Sequence, residues 1–114
     1  MKVSELIALA DELAPNPFSA TVKLGLVNEL QAKIQMDVFL VEAKDVDMVA
    51  SADAATTELL LPEARNSLYL AWMRAKYYWL MGEYEIYQNE KALFDDEWDS
   101  LVRDECERCH RGTG

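Results

Sequence analysis

The chain has 114 residues, a formal net charge of −10, 51% hydrophobic residues and 28% charged ones. That length suits one domain with one core, and the composition excludes a disordered polymer. The excess of acids, 21 against 11 bases, excludes a nucleic-acid clamp and disfavours an anionic membrane surface, because a negative surface repels phosphate.

Only four Gly and three Pro favour helices over a turn-rich β fold. The expectation is an all-α single domain over residues 1–114. It has about four helices, of which the two C-terminal ones are long and packed together, and a frayed tail over 109–114. The start, Met1 to Leu6, leads into acids without a long apolar run, so no secretory signal is expected. Leu68 to Met81 is the most apolar stretch. It is too short for a bilayer and carries Arg74 and Lys76, which predicts burial in protein. In a reducing cytoplasm the two cysteines are then expected without a structural disulfide.

In chain order, Val3, Leu6, Ile7, Ala10 and Leu13 recur at helical spacing and predict a first helix over Val3 to Leu13. Pro15-Asn16-Pro17 stops it. Ser19 is a natural N-cap for a second helix, whose apolar positions Val22, Leu26, Val27, Leu30, Ile34 and Val38 carry it to about Leu40. Residues 41–61 are expected to hold a short hairpin or an extended segment, with Ser51 to Thr57, small and polar, as a loop and Thr57 to Leu61 extended into Pro62. Pro62 suits the first turn of a third helix. There Leu68, Trp72, Ala75 and Trp79 form one stripe, while Leu70, Met73, Tyr77, Leu80 and Met81 make the opposite side apolar too. A helix apolar all round is buried on all sides. In so short a chain this predicts cover from outside the fold, with Leu70, Met73, Tyr77 and Met81 as the candidate oligomer interface. For Tyr77 both core and interface remain open. Gly82-Glu83 breaks the helix. The last helix is expected from about Glu83 to Arg108, with Tyr84, Tyr87, Phe94, Trp98, Leu101 and Val102 as its apolar stripe and a solvated acidic face opposite.

Cys106-Glu107-Arg108-Cys109-His110 matches the C-x-x-C-H haem attachment pattern. Cys106, Cys109 and His110 also offer three of the four ligands of a structural zinc site. The missing export signal and missing fourth ligand weigh against both, so neither a cofactor nor a resident metal is expected. A redox dithiol needs a helix N-terminus to lower its thiol pKa, whereas this pair sits at a helix end. No nucleophile elbow, P-loop or dinucleotide fingerprint is present, and the sole histidine, His110, lies in the tail. Carboxylate runs such as Asp95-Asp96-Glu97 read as solvated surface. An enzyme is therefore not expected.

Several segments carry a resemblance. They are Val27-Asn28-Glu29-Leu30, Ile34-Gln35-x-Asp37-Val38-Phe39, Thr57-Glu58-Leu59-Leu60-Leu61-Pro62 leading into Leu68-Tyr69, Ala75-Lys76, Gly82-Glu83-Tyr84 and Tyr87-Gln88-Asn89. Together they resemble small proteins encoded in the head-completion region of prophages of Gram-positive bacteria. These are similar to the head–tail connector, or adaptor, proteins of tailed phages. The likeness runs from about Val3 to Leu101. Gly25, where the family pattern has a larger residue, and the Cys-x-x-Cys-His stretch depart from it. The resemblance implies a helical virion subunit, about twelve copies of which form a closed ring under the portal. Its implied partners are itself, the portal protein and tail-side completion proteins, and it is found in the host cytoplasm during assembly and then in the virion. Another small phage assembly protein, for tail completion or chaperoning, is the nearest alternative. A metal or haem protein using the C-terminal stretch is the more distant one.

Overall fold

In a computed structural model, the backbone is described for residues 1–113 and the side chains for residues 1–106. Four α-helices follow one another: α1 (Val3–Leu13), α2 (Ala20–Asp37), α3 (Asn66–Leu80) and α4 (Tyr84–Thr113). No strand forms among the described residues; a single antiparallel bridge joins Lys2 to Glu58.

α1 begins where the Glu5 carboxylate accepts from the Lys2 amide (3.1 Å), one half of a capping box. It ends at Leu13, before Pro15. Val3, Leu6 and Ala10 are buried, whereas Leu13, expected on the same face, is exposed, and Ala14 fills the core beyond it. Ser19 caps α2, its hydroxyl accepting from the Val22 amide at 3.3 Å. α2 stops at Asp37, three residues before the expected end, because the chain turns through a left-handed Leu40 with φ 59°. Val22 is exposed rather than part of the core.

Residues 41–61 contain short 3-10 turns at Ala43–Asp45 and Ser51–Asp53, and no hairpin. The piece around Thr57 to Leu61 is extended. Thr57 and Met1 carbonyls accept from the Val3 and Leu59 amides at 3.0 and 2.9 Å, tying it to the start of α1. Two side chains of α2 hold the rest of the crossing. Gln35 pairs with the Asp47 backbone through its amide nitrogen and oxygen, both at 2.9 Å. Asn28 does the same for Val49, at 3.0 and 2.8 Å. A carboxamide carries the same donor and acceptor as a peptide, so two turns of helix stand in for a neighbouring strand.

Pro62 precedes a 3-10 turn, Glu63–Arg65, and α3 begins at Asn66. α3 is the central helix, packed against α1, α2 and α4. Most of its two-sided apolar surface is thereby covered within the chain: Leu68, Tyr69, Met73 and Tyr77 have no exposed surface, while Trp79 and Leu80 at its end stay exposed. Gly82, at φ 80°, ends it. The Gly82 amide donates to the Trp79 carbonyl at 3.1 Å and the Glu83 amide to the Tyr78 carbonyl at 2.9 Å, which completes a Schellman motif. α4 then runs back along α3. Its 30 residues span about 45 Å, close to the 49 Å long dimension of the molecule.

Three buried or half-buried polar contacts join helices far apart in sequence. The Tyr69 hydroxyl donates to Gln31 Oε1 at 2.7 Å and accepts from the Leu61 amide at 3.2 Å. Asp11 gathers Lys23 Nζ (2.8 Å), Asn16 Nδ2 (3.0 Å) and the Tyr77 hydroxyl (3.1 Å), fixing α1, the turn and α2 onto α3. Arg74 meets Glu90 at 2.7 Å across the α3–α4 seam. Glu90 is buried, so the acidic face of α4 is not uniformly solvated as expected.

Candidate interaction surface

The residues expected at an oligomer interface divide. Met73 and Tyr77 lie in the chain's own core without exposed surface, and Leu70 and Met81 are half-buried against it. For Met73 and Tyr77 the reason is geometric: α1 and α2 cover the side of α3 that α4 leaves open. The Tyr77 hydroxyl is spent on Asp11. Burial pushes this phenol well above the ordinary tyrosine value, and the Asp11 charge pushes it the same way. Burial also pushes the Asp11 carboxyl up, but its bonds from Lys23, Asn16 and Tyr77 outweigh that and hold it below the usual carboxylate value.

The apolar surface that stays open lies elsewhere, in two places. One surrounds the closed end of the α3–α4 hairpin, where Trp79, Leu80, Tyr84 and Ile86 are exposed, with Leu93 two turns along α4. The other lies where α2 ends: Met36, Phe39 and Leu40 are exposed there, Leu40 beside Val102 and Cys106 of α4 and Met36 near exposed Met48.

Between α3 and α4, next to the hairpin end, the surface opens into a pocket of about 300 Å³ lined by Trp72, Ala75, Lys76, Trp79, Tyr87, Lys91, Phe94 and Asp95. Helical spacing creates it. Trp72, Ala75, Lys76 and Trp79 are successive i, i+3 and i+4 neighbours on α3, and Tyr87, Lys91, Phe94 and Asp95 are the same on α4. Its floor is set by Trp72, whose indole N–H donates to the Leu26 carbonyl at 2.9 Å and whose ring lies 5.1 Å from Phe94. Trp98 continues this aromatic row, 5.9 Å from Phe94. Lysines crown it: Lys76 sits 4.6 Å from the Trp72 ring and Lys33 the same distance from Trp98. Lys76 also pairs with Glu29 at 3.3 Å, and Lys91 with Asp95 at 2.8 Å. The hydrogen bond that it donates to Asp95 raises the Lys91 ammonium above its ordinary value. The pocket is thus an aromatic cleft whose two rim lysines are each paired with a carboxylate. It offers contact area and ammonium donors and no paired nucleophile and base.

Of the C-terminal candidates, Cys106 is exposed with a free thiol; the Cys109 and His110 side chains lie outside the described residues. Among the described residues no group of three or more His, Cys, Asp or Glu side chains is arranged to hold a metal ion. No helix among them is long and apolar enough to cross a membrane.

Sequence reasoning found Trp72 and Phe94 as apolar stripe residues but not the pocket they share with two lysines. It also missed Leu40 as an exposed feature. The run Val38-Phe39-Leu40 continues the apolar pattern of α2 and carries no local stop signal. No protein-family model, curated protein or solved structure matches the chain.

Proposed function

We propose that this chain is a structural subunit of a phage head–tail connector, one of the copies of a ring that sits under the portal and receives the tail-side completion proteins. The observation that supports it most is the apolar surface left at the hairpin end and at the end of α2. The core is formed without it, Leu68, Tyr69, Met73 and Tyr77 of α3 being buried by the chain's own helices, and exposed apolar surface of this kind fits a contact with another subunit. The resemblance of the segments between Val3 and Leu101 to connector proteins says what kind of assembly it is.

The electrostatics fit the same role. From Glu83 to Glu107 the sequence has ten acids and two bases. A face of this sign lets DNA pass a channel without sticking, since like charge removes phosphate contacts. In this reading the subunit acts by geometry and carries out no reaction. It is made in the host cytoplasm and leaves in the virion. Native mass spectrometry of the protein with and without its cognate portal protein tests the proposal. Association of many copies with the portal is expected; a chain that stays monomeric and ignores the portal would refute it.

A further inference from the structure

Residues 46–50 run extended along α2 with only one edge filled. Val46 and Ala50 have extended backbones, with φ −68°, ψ 128° and φ −76°, ψ 152°. Between them, Gln35 bonds both main-chain groups of Asp47, and Asn28 bonds both of Val49. In an extended chain, consecutive residues present their N–H and C=O to opposite edges. Asp47 and Val49 face α2, so Val46 and Met48 face away from it. The main-chain groups of Val46 and Met48 have no partner among the described residues, and Met48 is 62% exposed. An open edge of this kind is a template for another strand.

The charge around that edge selects what can pair with it. Asp45, Asp47 and Asp53 are exposed and make no ion pair among the described residues. Lys44 is the sole base over residues 37–57, and it lies 3.5 Å from Glu42. Beside the edge, a groove of about 270 Å³ is lined by Asp47, Asp53 and Glu58 and by no Lys or Arg. Glu58 holds the Met1 ammonium at 3.1 Å, which leaves Asp47 and Asp53 free. Gln31, only 3% exposed, also lines this groove. Its Oε1 is taken by Tyr69, and its Nε2 has no partner among the described residues, so it offers a donor to a main-chain carbonyl that enters. A second copy pairing antiparallel would set Asp45 and Asp47 against the same acids, and like charges directly opposite destabilise a pair. A strand bearing lysines or arginines meets carboxylates instead.

We propose that the open edge over residues 46–48 binds an extended basic segment of another protein. That segment pairs its main chain with Val46 and Met48 and sets a lysine or arginine in the groove beside Asp47 and Asp53. The site stands on these residues alone and holds whether or not the chain joins a portal.

The test titrates the full chain, isotope-labelled for NMR, with a capped octapeptide of alternating lysine and valine. Saturable shifts are expected at the Met48 main-chain amide and the Gln31 side-chain amide, and exchange of the Met48 N–H should slow at least tenfold in the complex. Asp47→Asn with Asp53→Asn is expected to weaken binding at least fivefold. Met48→Pro removes an N–H that bonds nothing in the free chain, so it should fold and lose binding at least tenfold, while Met48→Ala binds within about twofold of wild type. A wild-type chain that shows no saturable shift at Met48 overturns the site. An octapeptide of alternating glutamate and valine that binds equally well overturns the choice of a basic partner. A Met48→Pro chain that binds like Met48→Ala overturns the main-chain pairing. Should Met48→Pro fail to fold, a Met48 N–H left unprotected in the wild-type complex overturns it in the same way.

Discussion

Removing one oxygen atom, by Tyr69→Phe, tests how the centre of the fold is held. Tyr69 and Gln31 are both buried. The hydroxyl satisfies two groups at once, Gln31 Oε1 at 2.7 Å and the Leu61 amide at 3.2 Å. Phenylalanine fills the same space and keeps the apolar contacts, so the loss is confined to the two hydrogen bonds. A buried donor or acceptor left unmade costs about 1–3 kcal/mol. The Leu61 amide precedes Pro62 in a segment that partly relaxes, so the pair is expected to cost about 3 kcal/mol rather than the sum of two maximal penalties. Against a typical total of about 5–15 kcal/mol, that is a large fraction. Urea unfolding followed by circular dichroism should show a lower midpoint with an unchanged slope. Gln31→Met, which removes the acceptor, should cost less on top of Tyr69→Phe than on its own, because the second partner is already gone. A Tyr69→Phe protein within 0.5 kcal/mol of wild type would refute the reasoning.

Further outcomes follow from the same structure. Burial raises the Tyr69 hydroxyl to about 12, against an unfolded value near 10. The folded state therefore favours the protonated phenol: its contribution is whole below pH about 10 and is lost as pH rises from there to about 12. Alkaline unfolding of Tyr69→Phe should lack that component. Asp11 shifts the other way, with its folded value lowered. Its contribution is present above the ordinary carboxylate value near 4 and disappears as pH falls through the folded one. Asp11→Asn should cost about 1 kcal/mol at pH 7, discounted because the carboxyl is partly solvated, and the difference from wild type should vanish by strong acid in thermal melts. Gly25→Ala should stabilise by about 0.5–1 kcal/mol, because a Cβ there meets nothing within 4 Å on a helical backbone. Gln35→Ala should leave the helices intact but speed amide exchange at Asp47, whose N–H it holds at 2.9 Å.

Much of the helical layout was legible locally. The 3–4 spacing from Val3 and the stop at Pro15 define α1, Ser19 marks the start of α2, and Gly82 marks the hairpin turn. What misled the reading was apolar pattern continued past a real boundary. Val38, Phe39 and Leu40 look like another turn of α2, yet the backbone reverses at Leu40. Leu13 keeps helical register but is exposed, the next residue, Ala14, being the one that is buried, and Val22 precedes the buried stretch of α2, which starts at Leu26. The contacts that decide tertiary placement had no local signal. Asp11 and Tyr77 are 66 residues apart, and Glu90 looks like any other acid of α4 until Arg74 is placed opposite it. The two-sided apolar α3 was read as a helix buried all round, yet only its Leu68 to Tyr77 stretch is covered, and Trp79 and Leu80 at its end stay exposed. That cover comes from α1, α2 and α4 of the same chain, and the apolar surface left open lies at the hairpin end and at the end of α2 rather than at Met73 and Tyr77. For residues 41–61, side-chain amides on α2 replace the hairpin partner, and no strand pattern encodes that.

The central claim is that this chain builds a ring under a portal. Electron microscopy of the purified chain mixed with its cognate portal protein tests it most directly. The account predicts added density in a closed ring of repeated helical subunits on the tail-facing side of the portal. Portal particles that remain bare at saturating concentrations of the chain would contradict it.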